Sequence, residues 1–302
     1  MIENVIAAST GLIASSAAVP LITEPEDWAG QLRLIAKLGF RQLDLSDFWL
    51  ALATLDQAAL TKLSQAMADV GLTAIGASVV GAELHRSDRR EESIAWVQAA
   101  LANAARLGLG HVTIGLQPKP GPAAPPGSRP GWANNTGAPQ FTDAQFRSVA
   151  RDLHDLAAGA ADLGLGLSVE MHERTMVNSA SNVLRLLEMA GHPNLGVNPD
   201  LGNVIRAPWP LVETWFQTLD AVAPFVRYWH VKNVTRLDLS DGNAACVVAD
   251  MDKGTIDYRA ALARMRTAGY AGPLVVEHHA SGDPFAVAAG AKAYLDGLQM
   301  AR

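Results

Sequence analysis

Four Ala/Leu-rich helical stretches in this chain close on a glycine and hand over to a short apolar run: "AKLGF" at 36–40, "ARLGLG" at 105–110, "ADLGLG" at 161–166 and "RTAGYAG" at 266–272. A glycine in that place adopts the left-handed conformation that ends a helix and releases the chain into the next element. The same structural event recurs, so the repeating unit is a strand followed by a helix. The strands expected from apolar β-rich runs are Val5–Ser9, Gln42–Leu45, Thr73–Val79, His111–Leu116, Gly166–Glu170, Leu195–Asn198, Val226–Val231 and Leu274–Glu277. Eight strand–helix units closing on themselves predict an α/β fold, a single (β/α)8 barrel spanning 1–302. A doubly wound open sheet would want a glycine-rich phosphate turn after its first strand, and "STGLIASS" is not one.

One segment breaks the rhythm. "QPKPGPAAPPGSRPGWANNTGAPQF", residues 117–141, follows the fourth strand and is rich in Pro and Gly. A loop of that length inside a compact domain is either functional or unstructured. It leaves the C-terminal end of a strand, the face on which barrels build their sites, so it reads as a partial lid with Trp132 reaching ligand; a solvated surface insertion is the alternative.

A formal charge of -6 gives no basic footprint, which argues against nucleic acid and acidic membrane surfaces as partners. The single cysteine, Cys246, cannot form an internal disulfide and reads as a small packing residue. The apolar start "MIENVIAASTGLIASSAAVP" carries Glu3 where a secretory signal would be positive, and Arg33 is the first basic residue, so a first strand and loop are expected there. No charge-free apolar run approaches the about 18 residues of a membrane span. The expected place is the cytoplasm.

Four successive predicted strands end in metal-competent side chains: Glu170 in "LSVE", Asp200 in "GVNPD", His230 in "RYWHV" and Glu277 in "LVVE". Their separations are 30, 30 and 47 residues, one β/α unit apiece, so all four converge on one rim of the barrel. Three carboxylates in one cavity repel one another and raise each other's pKa, a conflict that a divalent cation removes. Three oxygens and one nitrogen suit Mn²⁺, Mg²⁺ or Co²⁺ better than a structural zinc.

With these residues the chain resembles the xylose isomerase-like (β/α)8 barrel superfamily of sugar phosphate isomerases and epimerases. The resemblance runs over essentially the whole chain, through "VEMH", "NPDLGN", "WHVKN" and "KGTIDYRAALARMRTAGYAGPLVVE". It implies that Glu170, Asp200, His230 and Glu277 hold one divalent ion, Mn²⁺ first. It also implies that Glu170 and Glu277 act as acid and base on opposite faces of a small polyhydroxy carbonyl substrate, with proton transfer through a metal-bound enediolate giving isomerisation or epimerisation. A dehydratase of the inosose or 3-dehydroshikimate kind, losing a β-hydroxyl after the same proton abstraction, is the alternative. The DNA-repair members of the fold use more histidine ligands; with eight histidines and an acidic charge this chain is a poor match to them. Barrels of this type often pair through Ala/Leu-rich helices, so a homo-oligomer is compatible with the sequence.

Around the quartet, two-residue alternation places His172 on the side of Glu170 and Lys232 on the side of His230, each within reach of substrate; Lys232 would neutralise developing negative charge. Arg236 has the spacing of a substrate-contacting arginine in ketose epimerases. Trp49 is a candidate pocket wall, whereas Trp209 and Trp229 read as packing. Glu173 and Arg174 read as loop salt links. The ketose epimerases place a histidine where this chain has Asn203, which can bind substrate but not act as an acid, and a glutamate where it has Met176. His85, after the third strand, is the candidate for a missing polar contact. No phosphate-binding glycine loop follows strands seven or eight, which favours an unphosphorylated substrate.

Overall fold

The computed structural model describes residues 4–16, 25–118, 137–277 and 282–300. In chain order its barrel strands are β1 (Ile6–Ser9), β2 (Gln42–Ser46), β3 (Thr73–Val79), β4 (His111–Ile114), β5 (Gly166–Glu170), β6 (Leu195–Asn198) and β7 (Trp229–Val231), and the last, after a hairpin of β8 (Asn233–Asp238) and β9 (Ala244–Ala249), is β10 (Leu274–Val276). The helices are α1 (Gly11–Ser15), α2 (Trp28–Lys37), α3 (Gln57–Asp69), α4 (Arg90–Arg106), α5 (Asp143–Asp162), α6 (Ala180–Ala190), α7 (Leu201–Ile205), α8 (Trp215–Val222), α9 (Tyr258–Thr267) and α10 (Pro284–Met300).

The eight barrel strands pair in parallel in the order β6-β5-β4-β3-β2-β1-β10-β7, a (β/α)8 barrel. Between β6 and β7 the ladder reduces to one bridge, Val197 to Val226. Just above it the Asn198 side chain takes over, its Oδ1 accepting the His230 backbone N–H at 2.7 Å. The barrel therefore closes through an amide side chain at the level of the candidate site.

Local chemistry explains the elements. Gly39, Gly108, Gly164 and Gly269, the glycines of the four recurring endings, all have positive φ, between 71° and 88°. Thr142 and Thr214 begin α5 and α8 with complete capping boxes. The main hydrophobic core lies between the strands and the helical ring, where Leu43, Ile114, Val169 and Val231 meet Leu32, Val97, Leu153 and Leu262. The barrel interior is different in kind. It holds a small apolar cluster, Ala7, Tyr228 and Val275, and the buried polar side chains Asp44, Ser78, Ser168, Asn198 and His230.

Two differences from the sequence reading follow from tertiary context. The seventh strand is regular only from Trp229, because a 3-10 turn at Ala223–Phe225 precedes it. The β8–β9 hairpin, inserted between β7 and α9, is antiparallel and outside the barrel; its alternation of half-buried and exposed residues kept it below notice. Trp132 and most of the Pro/Gly-rich segment lie outside the described residues.

Candidate metal centre

Each member of the quartet is delivered by the C-terminal end of a strand. Glu170 is the last residue of β5, Asp200 is the N-cap of α7 just after β6, His230 is the middle of β7, and Glu277 follows β10 directly. All four are buried, and one ligand atom from each lies within 4.8 Å of the others. His230 Nδ1 is 3.3 Å from Glu170 Oε1 and 3.5 Å from Glu277 Oε2. Three carboxylate oxygens and one imidazole nitrogen in so small a volume fit a hard divalent cation.

The electrostatics agree with that fit. Burial, reinforced by Glu277 and Glu170 and only partly offset by Lys232, pushes the Asp200 carboxyl up to about 8. Burial by itself opposes charge on His230, yet Glu277 and Glu170 hold it well above the ordinary histidine range. Glu170 stays below the usual carboxylate value despite its burial and the nearness of Glu277, because His230 and Lys232 favour its charged form. With three carboxylates against His230 and Lys232, the pocket takes one of the acids, Asp200, in its protonated form at neutral pH.

Lys232 sits between two of the acids, its Nζ 2.7 Å from Asp200 Oδ2 and 2.8 Å from Glu277 Oε2. Its stem passes against Gly202 so closely that a Cβ there would meet Lys232 Cγ at 2.5 Å. That contact explains the glycine of "NPDLGN". Asn203 Nδ2 donates to Glu170 Oε1 at 3.1 Å and to Asp200 Oδ2 at 3.0 Å, tying the two ligand-bearing loops together. Its own Oδ1 is buried without a hydrogen-bond partner.

The remaining sequence candidates take other positions. His172 lies beside Glu173 and Arg206: its Nδ1 is 3.0 Å from Glu173 Oε2 and its Nε2 is 3.0 Å from Arg206 Nη2. Burial lowers its pKa to about 4, so at neutral pH it is an uncharged ring whose Nε2 accepts from the guanidinium. Glu173 forms the salt link read from the sequence, but as a buried one. It is fully enclosed and bound by Arg206 through Nε at 3.0 Å and Nη2 at 3.3 Å, a buried ion pair bracing the β5 loop against the end of α7.

Arg236, on β8, gives its guanidinium to the carbonyls of Ile205, Ala207 and Trp209 and to Asp238. Those contacts anchor the chain after α7 and engage its donors away from the quartet, because β8 leaves the barrel axis to form the hairpin. Trp49 is 3% exposed, donates Nε1–H to Gln31 Oε1 at 2.7 Å and packs edge-on against Trp28, so it is enclosed under the helical ring. His85 is half-buried and sits edge-on to Phe141; burial lowers its pKa. Met176 is core. A cavity of about 360 Å³ opens beside Glu173, between Phe141, Arg185 and Trp209.

Sequence reasoning passed over Asp44, Ser78, Tyr228 and Arg206. Asp44 accepts from Tyr228 Oη–H at 2.9 Å and from Ser78 Oγ–H at 2.6 Å, and Ser78 Oγ also meets His230 Nε2 at 3.1 Å. For Asp44 and Ser78 the available signal was a polar residue in the middle of "QLDLS" and near the end of "TAIGASV".

Fold and site together define a (β/α)8 barrel with a buried, oxygen-rich candidate metal centre at the C-terminal ends of its strands. The chain belongs to the xylose isomerase-like TIM barrel family, matching it over residues 32–302. It superposes on a xylose isomerase-like TIM barrel protein from Mycobacterium smegmatis in complex with magnesium, with a TM-score of 0.85, 24% identity and coverage of 98% of this chain and 96% of that one. A 3-keto-D-glucoside 4-epimerase from E. coli has a TM-score of 0.69 at 17% identity, covering 98% of this chain and 100% of that one. An inosose dehydratase from Geobacillus kaustophilus (strain HTA426) is 26% identical over 172 residues, 53% of this chain. The match spans 54% of that curated relative, about half its length. Among the described residues no helix is long and apolar enough to cross a membrane.

Proposed function

We propose that this protein is an isomerase or epimerase of a small sugar or keto-sugar that works with one divalent metal ion, Mn²⁺ in the first instance, with Mg²⁺ or Co²⁺ as alternatives. The observation that carries the reading is the quartet itself, four ligand atoms from four successive β/α units within 4.8 Å of one another. Glu170, Asp200, His230 and Glu277 would hold the ion, and bound there it would supply electrophilic polarisation of a substrate carbonyl. Glu277 and Glu170 are the proton-transfer pair: one removes a proton from the carbon next to the carbonyl, and the other returns a proton. Lys232, beside Glu277, stabilises negative charge developing on substrate oxygen. Asn203 orients Glu170 and Asp200, and His172, uncharged, braces the loop after β5 through Glu173 and Arg206. Family relationship to a 3-keto-D-glucoside 4-epimerase supports a polyhydroxy carbonyl substrate, and the reading places the protein in the cytoplasm.

The test is mass spectrometry of ketoses, keto-acids and inososes incubated in D₂O with the Mn²⁺-loaded protein, with Glu277→Gln as control. Deuterium entering a carbon-bound position with wild type alone supports the proposal; an unchanged panel rejects it.

A second reading, a dehydratase, draws on Lys232. An ammonium 2.8 Å from the proposed base can protonate a departing β-hydroxyl, and the similarity to an inosose dehydratase points the same way. Loss of water from an inosose or 3-dehydroshikimate in the same experiment selects it.

A further inference from the structure

We propose that Asp44 and Ser78 form a positioning relay that fixes the imidazole of His230, keeping a proton on Nε2 and presenting Nδ1 to the three carboxylates. The proposal rests on the metal reading above and adds two residues that touch neither the ion nor the substrate.

The argument is one of hydrogen-bond supply. Ser78 has one hydroxyl proton and two acceptors within reach, Asp44 Oδ2 at 2.6 Å and His230 Nε2 at 3.1 Å. The shorter contact, to a carboxylate that already accepts from Tyr228 Oη–H at 2.9 Å, takes that proton. The Ser78 oxygen is left as an acceptor, so His230 Nε2 must donate, and only Nδ1 can ligate. Nδ1 is the nitrogen that faces Glu170 and Glu277. The ring is further pinned by its backbone, held by Asn198 Oδ1 at 2.7 Å, and by an edge-on contact with Tyr228. Asp44 and Ser78 are adjacent-strand residues facing the barrel axis, both buried, and the hydrogen-bond partner behind a ligating histidine, here a serine hydroxyl backed by a carboxylate, sets both its orientation and its basicity. Gly76 keeps Tyr228 in place: a Cβ there would stand 2.5 Å from the Tyr228 hydroxyl oxygen.

The test pairs two readouts. Calorimetric titration with MnCl₂ alone compares wild type with Ser78→Ala, Asp44→Asn and Ser78→Thr, each verified as folded by circular dichroism. Ser78→Ala and Asp44→Asn should weaken Mn²⁺ binding about 10- to 100-fold, and Ser78→Thr, which keeps the hydroxyl, should restore it. Independently, ¹⁵N-histidine NMR of the Mg²⁺-loaded wild type should show a slowly exchanging His230 Nε2–H proton that is lost in Ser78→Ala. Unchanged Mn²⁺ affinity in Ser78→Ala, or a His230 without a proton on Nε2, overturns the relay. A wild type that takes up no Mn²⁺, Mg²⁺ or Co²⁺ overturns the metal reading instead, and a comparison of Nε2–H exchange between metal-free wild type and metal-free Ser78→Ala then decides the relay: faster exchange in the variant supports it and equal exchange overturns it.

Discussion

The Lys232 ammonium lies 2.8 Å from Glu277 Oε2, so a permanent cation rests against one of the two carboxylates assigned to proton transfer. Removing it separates binding from chemistry. Lys232→Met takes a competing positive charge away from Asp200 and Glu277, so Mn²⁺ binding should tighten, while turnover, having lost its stabilising charge, should fall by about 10²- to 10³-fold. Calorimetry and steady-state kinetics on one preparation check both; weaker metal binding together with normal turnover contradicts the assignment.

Metal uptake should depend on pH. Without a cation, Asp200 keeps its proton up to about pH 8, and a ligand must be deprotonated to bind metal. Affinity for Mn²⁺ should therefore rise about tenfold per pH unit below that value for each proton displaced, and less steeply above it once Asp200 has lost its proton and His230 alone still gives one up. Titrations in two buffers of different ionisation enthalpy count the protons released; a flat affinity across this range removes Asp200 from the ligand set.

His111 links stability to acid. Its ring is stacked on Tyr228 at 4.8 Å inside the barrel, and burial lowers its pKa from 6.5 to about 3. The unfolded chain takes up a proton below pH 6.5 that the folded chain refuses until about pH 3, so stability falls as the pH drops through that window. His111→Gln should flatten the melting temperature against pH between those limits, relative to wild type. A parallel slope in the variant rules His111 out as the source.

Gly202→Ala puts a methyl 2.5 Å from Lys232 Cγ and 3.1 Å from the Lys232 carbonyl oxygen. The side chain must shift, at a cost of about 1–3 kcal/mol, and the ammonium leaves its place between Asp200 and Glu277. Denaturant unfolding should show the loss and kinetics should show a lower kcat; wild-type values in both contradict the packing argument.

Glu173→Ala leaves the Arg206 guanidinium without its carboxylate in a largely buried setting. The expected loss is about 3 kcal/mol, the low end for a broken buried pair, because the Arg206 side chain retains 17% exposure. Urea unfolding measures it; a loss below about 1 kcal/mol would class the pair with surface links.

The positions of the metal-competent residues were legible in the sequence because each closes a strand in a repeating unit. A glycine with positive φ ends a helix wherever it stands, and the apolar run after it makes a buried strand, so both signals lie in neighbouring residues. Four strand ends of that kind, 30, 30 and 47 residues apart, imply a shared rim without any coordinates. What surrounds them was not legible. Ser78 and His230 are 152 residues apart, and Glu173 and Arg206 are 33 apart, so nothing local marks them as partners. Arg236 shows the same limit: its spacing pointed to substrate, but the β8–β9 hairpin carries it to the carbonyls after α7. Backbone propensity and strand order are written in local sequence, whereas the partner of a buried polar side chain is decided by whatever the other strands bring within about 3 Å of it, and only the closed barrel fixes that.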